Sequence, residues 1–351
     1  MTVTNAYGAP TAGEQLIPVQ LDRRDVGPHD VKLDIMFCGI CHSDIHFAQG
    51  DFGPLPVEPL VPGHEIVGVV TEVGSSVSKH SVGDRVGIGC MVDSCGECEN
   101  CRDGEEQYCL KGHTLVFGSA DRDGSYTQGG FSQMIVANEN YVLSVPDSLD
   151  PALTAPLLCA GITVYAPLKR WHAGPGKRVA VVGLGGLGHL GVKMAKAMGA
   201  EVTVLSRSES KRDAANALGA DDYVATGDGS PFSALANRFD IVLNTVSAPI
   251  DVNAYLGMLR REGILANVGV TTEPLSYSAF GLMENGRVIA GSQFAGIRET
   301  QEMLDFAAEH EITAEVELVA AEQINEAFER VLASDVRYRF VVDSSSLAVD
   351  S

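Results

Sequence analysis

The first part of the chain alternates short apolar runs with turn-forming residues. These runs recur over roughly the first 150 positions, and Gly, Pro and Asp separate them at short intervals. This pattern predicts a β-rich domain with a small barrel-type sheet and tight glycine turns. The runs are VKLDIMF, EIVGVVTEV, DRVGIG, FSQMIVA and YVLSVP.

A second pattern begins near Asp150, where apolar strands alternate with amphipathic helices. KRVAVVG, EVTVLS, FDIVLNTV and GILANVG have the composition of buried strands, whereas LGHLGVKMAKAMG and DVNAYLGMLR have helical spacing. Strands that alternate with helices indicate parallel βαβ units. We therefore predict an α/β fold in which a doubly wound parallel sheet follows the β-rich domain.

The chain length and the last pattern together suggest a domain division. A chain of 351 residues is too long for one ordinary core. We predict a catalytic domain over residues 1–153 and a dinucleotide-binding domain over 154–291. Residues 292–351 contain helical and strand patterns but are few for an independent domain, so we expect them to return to the first domain.

Composition and charge limit the partners. The formal net charge is −21, and an acidic surface repels nucleic acid and anionic membranes, so we expect neither as a partner. No apolar run approaches the roughly 18 residues that a membrane helix needs. The N-terminal MTVTNAYGAPTAGEQ lacks the basic and apolar regions of a signal peptide, which favours a cytoplasmic location.

A glycine motif predicts a nucleotide site. The motif Gly183-Leu-Gly185-Gly186-Leu187-Gly188 follows the apolar strand VAVV and opens a helix. In that context the glycines allow a tight turn and a close approach of the backbone to a pyrophosphate, which the helix N-terminus also attracts. The alternative is a glycine-rich turn without a ligand.

The residues at the end of the next strand favour NADP(H) over NAD(H). An NAD site usually carries Asp or Glu there to bind the ribose 2′-hydroxyl. This chain has Ser206-Arg207-Ser208, with Lys211 just beyond, and hydroxyls and cations suit a 2′-phosphate. The alternative is that these cations are solvated surface charges.

Two sets of potential metal ligands are present. Cys95, Cys98, Cys101 and Cys109 have the spacing CxxCxxCx₇C, which favours a closed structural zinc site over an iron–sulfur cluster. Cys41, His64 and Cys159, with Glu65 as an alternate ligand, are scattered along the chain. Two thiolates, one imidazole and an open position are typical of catalytic zinc. We interpret Cys38 and Cys90 as core residues.

Together these motifs resemble one family. The chain is similar to the zinc-dependent medium-chain alcohol dehydrogenases, in their cinnamyl-alcohol-dehydrogenase-like NADP(H) branch. The similarity covers nearly the whole chain, and it implies a GroES-like fold for the β-rich domain and a Rossmann fold for the second. It rests on CGICHSDIH, VPGHEIVGVV, GCMVDSCGECENCRDGEEQYC, TQGGFSQ, GLGGLGHLGVKMAKAMGAEVTVLSRS, LGADDYV and DVRYRFVVD.

The resemblance implies roles for individual residues. Asp44 would orient His64, Ser43 and His46 would relay a proton, and Glu65 would approach the zinc when its fourth ligand leaves. The predicted cofactor contacts beyond the glycine motif are Thr163, Ser206, Arg207, Ser208, Lys211, Thr245, Val268 and Arg339. The predicted substrate-pocket residues are Phe52, Thr114 and Phe294.

The resulting functional prediction is an NADP(H)-dependent alcohol dehydrogenase or aldehyde reductase with two zinc ions per chain, one catalytic and one structural. We expect primary alcohols and aldehydes, aromatic and aliphatic, because Thr114 replaces a bulky tryptophan of plant members and so widens the pocket. The alternatives are a polyol or formaldehyde dehydrogenase of the same superfamily and a non-catalytic nucleotide-binding protein. We also expect a homo-oligomer, either a dimer or a tetramer.

Overall fold

The computed structural model describes residues 1–121, 124–227, 232–271 and 273–347. The strands, numbered in chain order, are β1 (Thr2–Gly8), β2 (Ile17–Arg23), β3 (Asp30–Gly39), β4 (Ile66–Val73), β5 (Arg85–Ile88), β6 (Met91–Asp93), β7 (Thr114–Leu115), β8 (Met134–Asn138), β9 (Leu143–Ser144), β10 (Arg178–Val182), β11 (Glu201–Ser206), β12 (Asp222–Ala225), β13 (Phe239–Asn244), β14 (Leu259–Asn267), β15 (Val288–Gly291), β16 (Val316–Val319) and β17 (Arg339–Asp343).

Helices occur in both parts of the chain, and several short 3-10 turns extend or precede them. The α-helices are α1 (His42–Gln49), α2 (Glu99–Arg102), α3 (Pro151–Thr154), α4 (Ala160–Arg170), α5 (Gly188–Ala197), α6 (Arg212–Ala217), α7 (Val252–Met258), α8 (Ala279–Met283), α9 (Ile297–Glu309) and α10 (Ile324–Leu332).

The chain divides into two compact units. Unit 1 comprises Met1–Cys159 and Ala295–Ser351, and unit 2 comprises Ala160–Phe294. The structural division therefore falls after Cys159 and after Phe294, a few residues beyond the boundaries at 153 and 291 that the sequence predicts. The segment from Ala295 onward belongs to the same unit as the N-terminal part of the chain.

Unit 1 is built around a mainly antiparallel sheet with the order β16-β17-β3-β4-β5-β9, and β8 also pairs with β3. Strand β3 is central because β4 lines one of its edges while β8 and β17 share the other. Its inward side chains Val31, Leu33 and Ile35 are buried. Each such side chain contributes roughly 1.5–3 kcal/mol, so this strand anchors the loops that carry the site.

Unit 2 contains a parallel sheet with the order β12-β11-β10-β13-β14-β15. Strands β10, β11 and β13 are buried along most of their length, as is typical of parallel sheets that helices cover on both faces. The strand order reverses between β10 and β13, and ligands bind doubly wound sheets at the carboxyl ends of the strands beside this switch point. The predicted α/β fold class, with a GroES-like and a Rossmann part, is confirmed.

Local patterns did not reveal several elements. The hairpin of β1 and β2 and the helix α1 are absent from the sequence prediction, because their apolar positions alternate only weakly. The predicted helix SESKRDAANALG is a 3-10 turn at Glu209–Lys211 followed by α6.

Within the described ranges no single helix is long and apolar enough to cross a membrane; the bent pair Pro151–Leu158 and Ala160–Arg170 passes on length and composition alone.

Candidate active site

The scattered ligand candidates meet in unit 1. One potential ligand atom each from Cys41, His64, Glu65 and Cys159 lies within 4.8 Å of the others. The Nε2 atom of His64 lies 3.3 Å from the sulfur of Cys159. Two sulfurs, an imidazole nitrogen and a nearby carboxylate form a donor set that suits zinc.

Local structure places each of these residues. Cys41 immediately precedes α1, and Cys159 follows a 3-10 turn at Ala155–Leu158 whose four residues are all buried. His64 follows Gly63, which has φ +102, and a Cβ atom at Gly63 would lie 2.8 Å from the sulfur of Cys38. Only glycine fits there, so the turn that presents His64 depends on it.

Asp44 connects the ligand-bearing segments. Its side chain is fully buried on α1 and accepts hydrogen bonds from the backbone N–H of Cys41 at 2.8 Å and of Gly63 at 2.9 Å. The same carboxylate lies 2.8 Å from Nδ1 of His64. An Nδ1–H donor to Asp44 leaves the Nε2 lone pair for a metal, so Asp44 fixes both the position and the tautomer of His64.

Glu65 provides a test of whether this ligand cluster fits a metal ion. It is fully buried, and one carboxylate oxygen contacts the guanidinium of Arg339. The other oxygen, Oε2, is buried and has no hydrogen-bond partner among the described residues. Burial raises the pKa of Glu65 to about 7, against the opposing charge of Arg339. An unpaired carboxylate oxygen beside two thiols and an imidazole fits the approach of a cation.

The Cys41 thiol has the electrostatics of a metal ligand. A hydrogen bond with the Cys159 thiol and the neighbouring His64 lower the pKa of Cys41 well below its usual value, although burial opposes this. Thiolate is the form that binds metal. The same hydrogen bond raises the pKa of Cys159, so Cys41 is the more readily deprotonated of the two thiols.

Arg23 supports the backbone that carries His64. It is buried at the end of β2 and donates to the carbonyls of Gln128 at 2.6 Å and Gly129 at 2.7 Å and to the Ser132 hydroxyl at 2.8 Å. This loop in turn bonds to the segment before His64. Those bonds join Gly129 N to Val61 O at 2.7 Å, Gly130 N to Gly63 O at 2.8 Å and Phe131 N to Pro62 O at 3.0 Å.

The predicted proton-relay residues share one helix. Ser43 and His46 both lie on α1 and are half-buried. Nδ1 of His46 lies 2.7 Å from the Asp51 carboxylate, just beyond the Gly50 cap of the helix. Asp51 therefore holds the His46 ring in a fixed orientation. The sequence prediction missed Asp51. The available signal was an acidic residue shortly after His46, directly following the glycine that ends the helix.

The four remaining predicted ligands form a second cluster. One atom from each of Cys95, Cys98, Cys101 and Cys109 lies within 4.8 Å of the others. Backbone N–H groups point at these sulfurs: Cys98 N lies 3.3 Å from Cys95, Cys95 N lies 3.4 Å from Cys109, and Leu110 N lies 3.5 Å from Cys98. The Leu110 bond lowers the pKa of Cys98, which reaches about 6. Such donors stabilise thiolates, so this lobe fits a closed zinc site.

The glycine motif of unit 2 has the shape of a phosphate cradle. Gly183 follows β10 with φ +88, and a Cβ atom at Gly188 would lie 2.1 Å from the Gly183 carbonyl, so α5 packs directly on the turn. A Cβ atom at Gly185 would meet no atom within 4 Å. The open space at Gly185, in front of the α5 N-terminus, fits a pyrophosphate.

The residues predicted to bind the 2′-phosphate lie at or shortly after the end of β11. Strand β11 ends at Ser206, and Arg207 and Ser208 are exposed beyond it. The ammonium of Lys211 reaches back to the Leu184 carbonyl at 2.8 Å, which brings a cation to the glycine turn. Arg212, by contrast, pairs with Glu209 at 2.7 Å.

Comparison with known proteins gives the family. The alcohol dehydrogenase GroES-like domain matches residues 27–147, and the zinc-binding dehydrogenase family matches residues 186–309. NADP-dependent alcohol dehydrogenase C 1 of Mycolicibacterium smegmatis is 57% identical over 99% of both chains. The chain belongs to the zinc-binding alcohol dehydrogenases.

One further related sequence and one solved structure show similarity over nearly the whole length of this dehydrogenase. Aldehyde reductase YahK of Escherichia coli is 50% identical and covers 97% of this chain and 98% of its own. The structure of the cinnamyl alcohol dehydrogenase SbCAD4 from Sorghum bicolor matches with a TM-score of 0.96 at 42% identity, covering 100% of both chains. The resemblance to the cinnamyl-alcohol-dehydrogenase-like branch is confirmed.

The other predicted residues of the dehydrogenase are placed as follows. Phe52 is 49% exposed and packs against His46, with 5.5 Å between ring centroids. Thr114 begins β7 and is half-buried. Thr163 is buried in α4, and Phe294 is the last residue of unit 2. Their roles in cofactor or substrate binding stay predictions.

Two residues near the ligand cluster were missed or misread. Phe117 is buried with its ring 5.8 Å from that of His64, so it forms an apolar wall of the cluster. Cys90, which its apolar neighbours suggested was a core residue, is only half-buried, and its interaction with the Cys159 thiol helps to raise the pKa of Cys159. A local sequence window gives no information about such a partner, which lies far along the chain.

Proposed function

We propose that this dehydrogenase is an NADP(H)-dependent zinc enzyme that interconverts primary alcohols and aldehydes. The observation that carries the proposal is the convergence of Cys41, His64 and Cys159 with Glu65, whose carboxylate keeps one buried oxygen without a hydrogen-bond partner among the described residues. The names of the M. smegmatis and E. coli relatives support the same reaction class.

Two zinc sites are part of the proposal. Cys41, His64 and Cys159 would hold the catalytic ion, with Glu65 as the alternate ligand, and the cysteine lobe would hold the structural ion. When bound, the catalytic zinc supplies Lewis acidity, which favours loss of a proton from an alcohol and polarises an aldehyde. The structural set has four protein ligands and so leaves no open position.

The cofactor assignment rests on unit 2. The turn at Gly183, Gly185, Gly186, Leu187 and Gly188 would hold the pyrophosphate, and Ser206, Arg207, Ser208 and Lys211 would hold the 2′-phosphate. NADP(H) supplies the hydride chemistry, whereas the protein supplies position and charge. The absence of an acid in Ser206–Ser208 is what favours the phosphorylated cofactor.

The chain's own residues orient the ligands and carry the proton. Asp44 would hold the Nδ1–H of His64 so that Nε2 is the nitrogen that binds the ion, and Arg339 pairs with Glu65. Ser43 would accept the proton of the alcohol hydroxyl as its own hydroxyl proton leaves in the direction of His46. His46, with 28% of its side chain exposed, would release a proton to solvent. The Asp51 carboxylate, 2.7 Å from Nδ1 of His46, fixes the orientation of the imidazole ring. In the reducing direction the same groups deliver the proton.

A direct assay tests the proposal. Zinc-loaded protein is mixed with NADPH and a panel of aldehydes, including benzaldehyde, cinnamaldehyde, butanal and formaldehyde, while the absorbance of the reduced cofactor is followed. We expect oxidation of NADPH with both aromatic and aliphatic aldehydes. Failure to oxidise NADPH with any aldehyde would refute the proposal. Turnover confined to formaldehyde, or to mannitol with NADP⁺, would instead favour the alternative dehydrogenases.

We also propose a cytoplasmic, homo-oligomeric enzyme that acts on small molecules and binds neither nucleic acid nor membranes. The net charge of −21 supports the last point. Sedimentation of the purified protein at several salt concentrations measures its assembly state, and a monomer throughout would contradict the oligomer.

A further inference from the structure

Two asparagines join the loops that follow β13 and β14. Asn244 ends β13 and is 1% exposed, and Asn267 ends the neighbouring strand β14. The Asn244 side-chain amide donates to the Asn267 side-chain oxygen at 2.5 Å. A bond between two side-chain amides at adjacent strand ends is uncommon, because most side-chain hydrogen bonds go to backbone or water.

Each asparagine also binds the loop beyond its own strand. The Asn244 side-chain oxygen accepts from the backbone N–H of Val246 at 3.2 Å, and the Asn267 side-chain amide donates to the Gly269 carbonyl at 3.0 Å. The result is a continuous chain of hydrogen bonds from Val246 to Gly269 through the two side chains. The side-chain oxygen and nitrogen of both asparagines therefore each have a hydrogen-bond partner.

Backbone contacts make the two loops one piece. The N–H groups of Val268 and Gly269 both donate to the Asn244 carbonyl at 3.0 Å. A Cβ atom at Gly269 would lie 2.1 Å from the Val246 carbonyl oxygen, so the loops touch without a side chain between them. Thr245 extends the connection, since its hydroxyl donates at 2.7 Å to Val182, the residue before the glycine turn.

This joined structure lies where a dinucleotide binds. Strands β10 and β13 flank the switch point of the sheet, and ligands bind outside the carboxyl ends of the strands there. A cavity of about 400 Å³ lies at the ends of β14 and β15, and Asn267, Val268 and Gly269 contribute to its lining. Thr245 and Val268 are themselves predicted cofactor contacts.

We infer that Asn244 and Asn267 are positioning residues that hold the Thr245 and Val268 loops in the conformation that binds the nicotinamide half of the coenzyme. This inference rests on the proposed function, since it assumes a nicotinamide coenzyme at this site. The pair restricts the loops before the coenzyme binds, so less conformational entropy is lost on binding. Its effect should therefore appear in coenzyme affinity.

The test measures coenzyme binding directly. Fluorescence titration gives the Kd of NADPH for wild type, Asn267→Leu, Asn244→Leu and the double variant, all as full-length zinc-loaded protein. Loss of one or two interloop hydrogen bonds should raise the Kd about tenfold in each single variant. Because the residues act as a unit, the double variant should bind about as weakly as either single variant.

A matched control separates this role from general stability. Asn253 on α7 accepts a backbone hydrogen bond from Ser278 at 2.8 Å in the same unit, away from the strand ends. Asn253→Leu removes this bond and should leave the Kd unchanged, and the thermal midpoint of each variant is measured beside its Kd. A Kd within twofold of wild type for Asn267→Leu, or an equal rise in the control, overturns the inference.

The same titration distinguishes failure of the proposed function. If wild type binds NADH in place of NADPH, only the NADP(H) assignment fails, and the variants are compared with NADH. If wild type binds neither coenzyme, both the proposed function and this inference fail.

Discussion

Replacement of Asp44 by asparagine should release the catalytic zinc selectively. Asp44 accepts three hydrogen bonds, from Cys41 N at 2.8 Å, Gly63 N at 2.9 Å and His64 Nδ1 at 2.8 Å. One oxygen, Oδ1, serves both Gly63 and His64, and the other serves Cys41. Asparagine has one oxygen and one NH₂ group, so it cannot accept all three.

Both orientations of the new amide are unfavourable. With its oxygen toward His64, its NH₂ group faces the N–H of Cys41, and a buried donor left unpaired costs about 1–3 kcal/mol. With its NH₂ group toward His64, the imidazole must accept at Nδ1 and carry its proton on Nε2, where the metal would bind. Either outcome fits the roughly 10–100-fold loss of metal affinity that substitutions behind metal ligands typically cause.

The assay is zinc content after dialysis against a weak chelator. Wild type should keep about two zinc ions per chain, and Asp44→Asn should keep about one, held by the cysteine lobe. Glu139→Gln is the matched control: Glu139 is also buried and accepts two backbone N–H bonds, from Ser78 and Lys79, and lies 3.4 Å from a histidine Nδ1. It lies outside both ligand clusters, so Glu139→Gln should lose stability but keep both ions.

Two results would refute this reasoning. Retention of both zinc ions by Asp44→Asn at every chelator concentration that wild type tolerates would mean that Asp44 does not position the ligands. Equal loss of zinc from Glu139→Gln would mean that the effect reflects general destabilisation.

Three further predictions address the cofactor, the support of His64 and acid stability. Ser206→Asp should reverse the coenzyme preference, so that kcat/KM with NADH exceeds that with NADPH; an unchanged preference contradicts the 2′-phosphate assignment. Arg23→Met removes three hydrogen bonds to the loop that supports His64, and the Gln128 carbonyl loses its 2.6 Å partner at a cost of about 1–3 kcal/mol. The change should lower both the free energy of unfolding and zinc retention, whereas Arg85→Met, which loses a 2.7 Å bond to a carbonyl, should lower only the free energy of unfolding. Burial raises the pKa of Asp30, but the hydrogen bond and the charge of Arg24 outweigh burial, so the pKa of Asp30 in the folded protein is lowered. The ionised Asp30 therefore stabilises the fold above its unfolded pKa of about 4, and this contribution is lost as the pH falls through the folded pKa. Urea unfolding should therefore show a shallower acid dependence for Asp30→Asn than for wild type, and identical slopes would contradict this.

Much of unit 2 could be predicted from the sequence because its information is local. The strands of a parallel sheet are continuous apolar runs, and the glycine motif marks the turn between β10 and α5 within six residues. The cysteine lobe was visible for the same reason, since its ligands lie on one short excursion. The arrangement that joins Asn244 to Asn267 was not predictable, because it depends on which strands are neighbours.

The catalytic cluster shows where local information ends. Its ligands come from a helix start at Cys41, a glycine turn at His64 and a 3-10 turn at Cys159, and no sequence spacing relates them. A structural zinc can be held by one loop, because four ligands need only saturate the ion. A catalytic zinc also needs an open position, and in this chain the proposed ligands come from separate elements that buried groups such as Asp44 and Arg23 support. Because these elements meet only through tertiary packing, only the folded structure shows the ligands together.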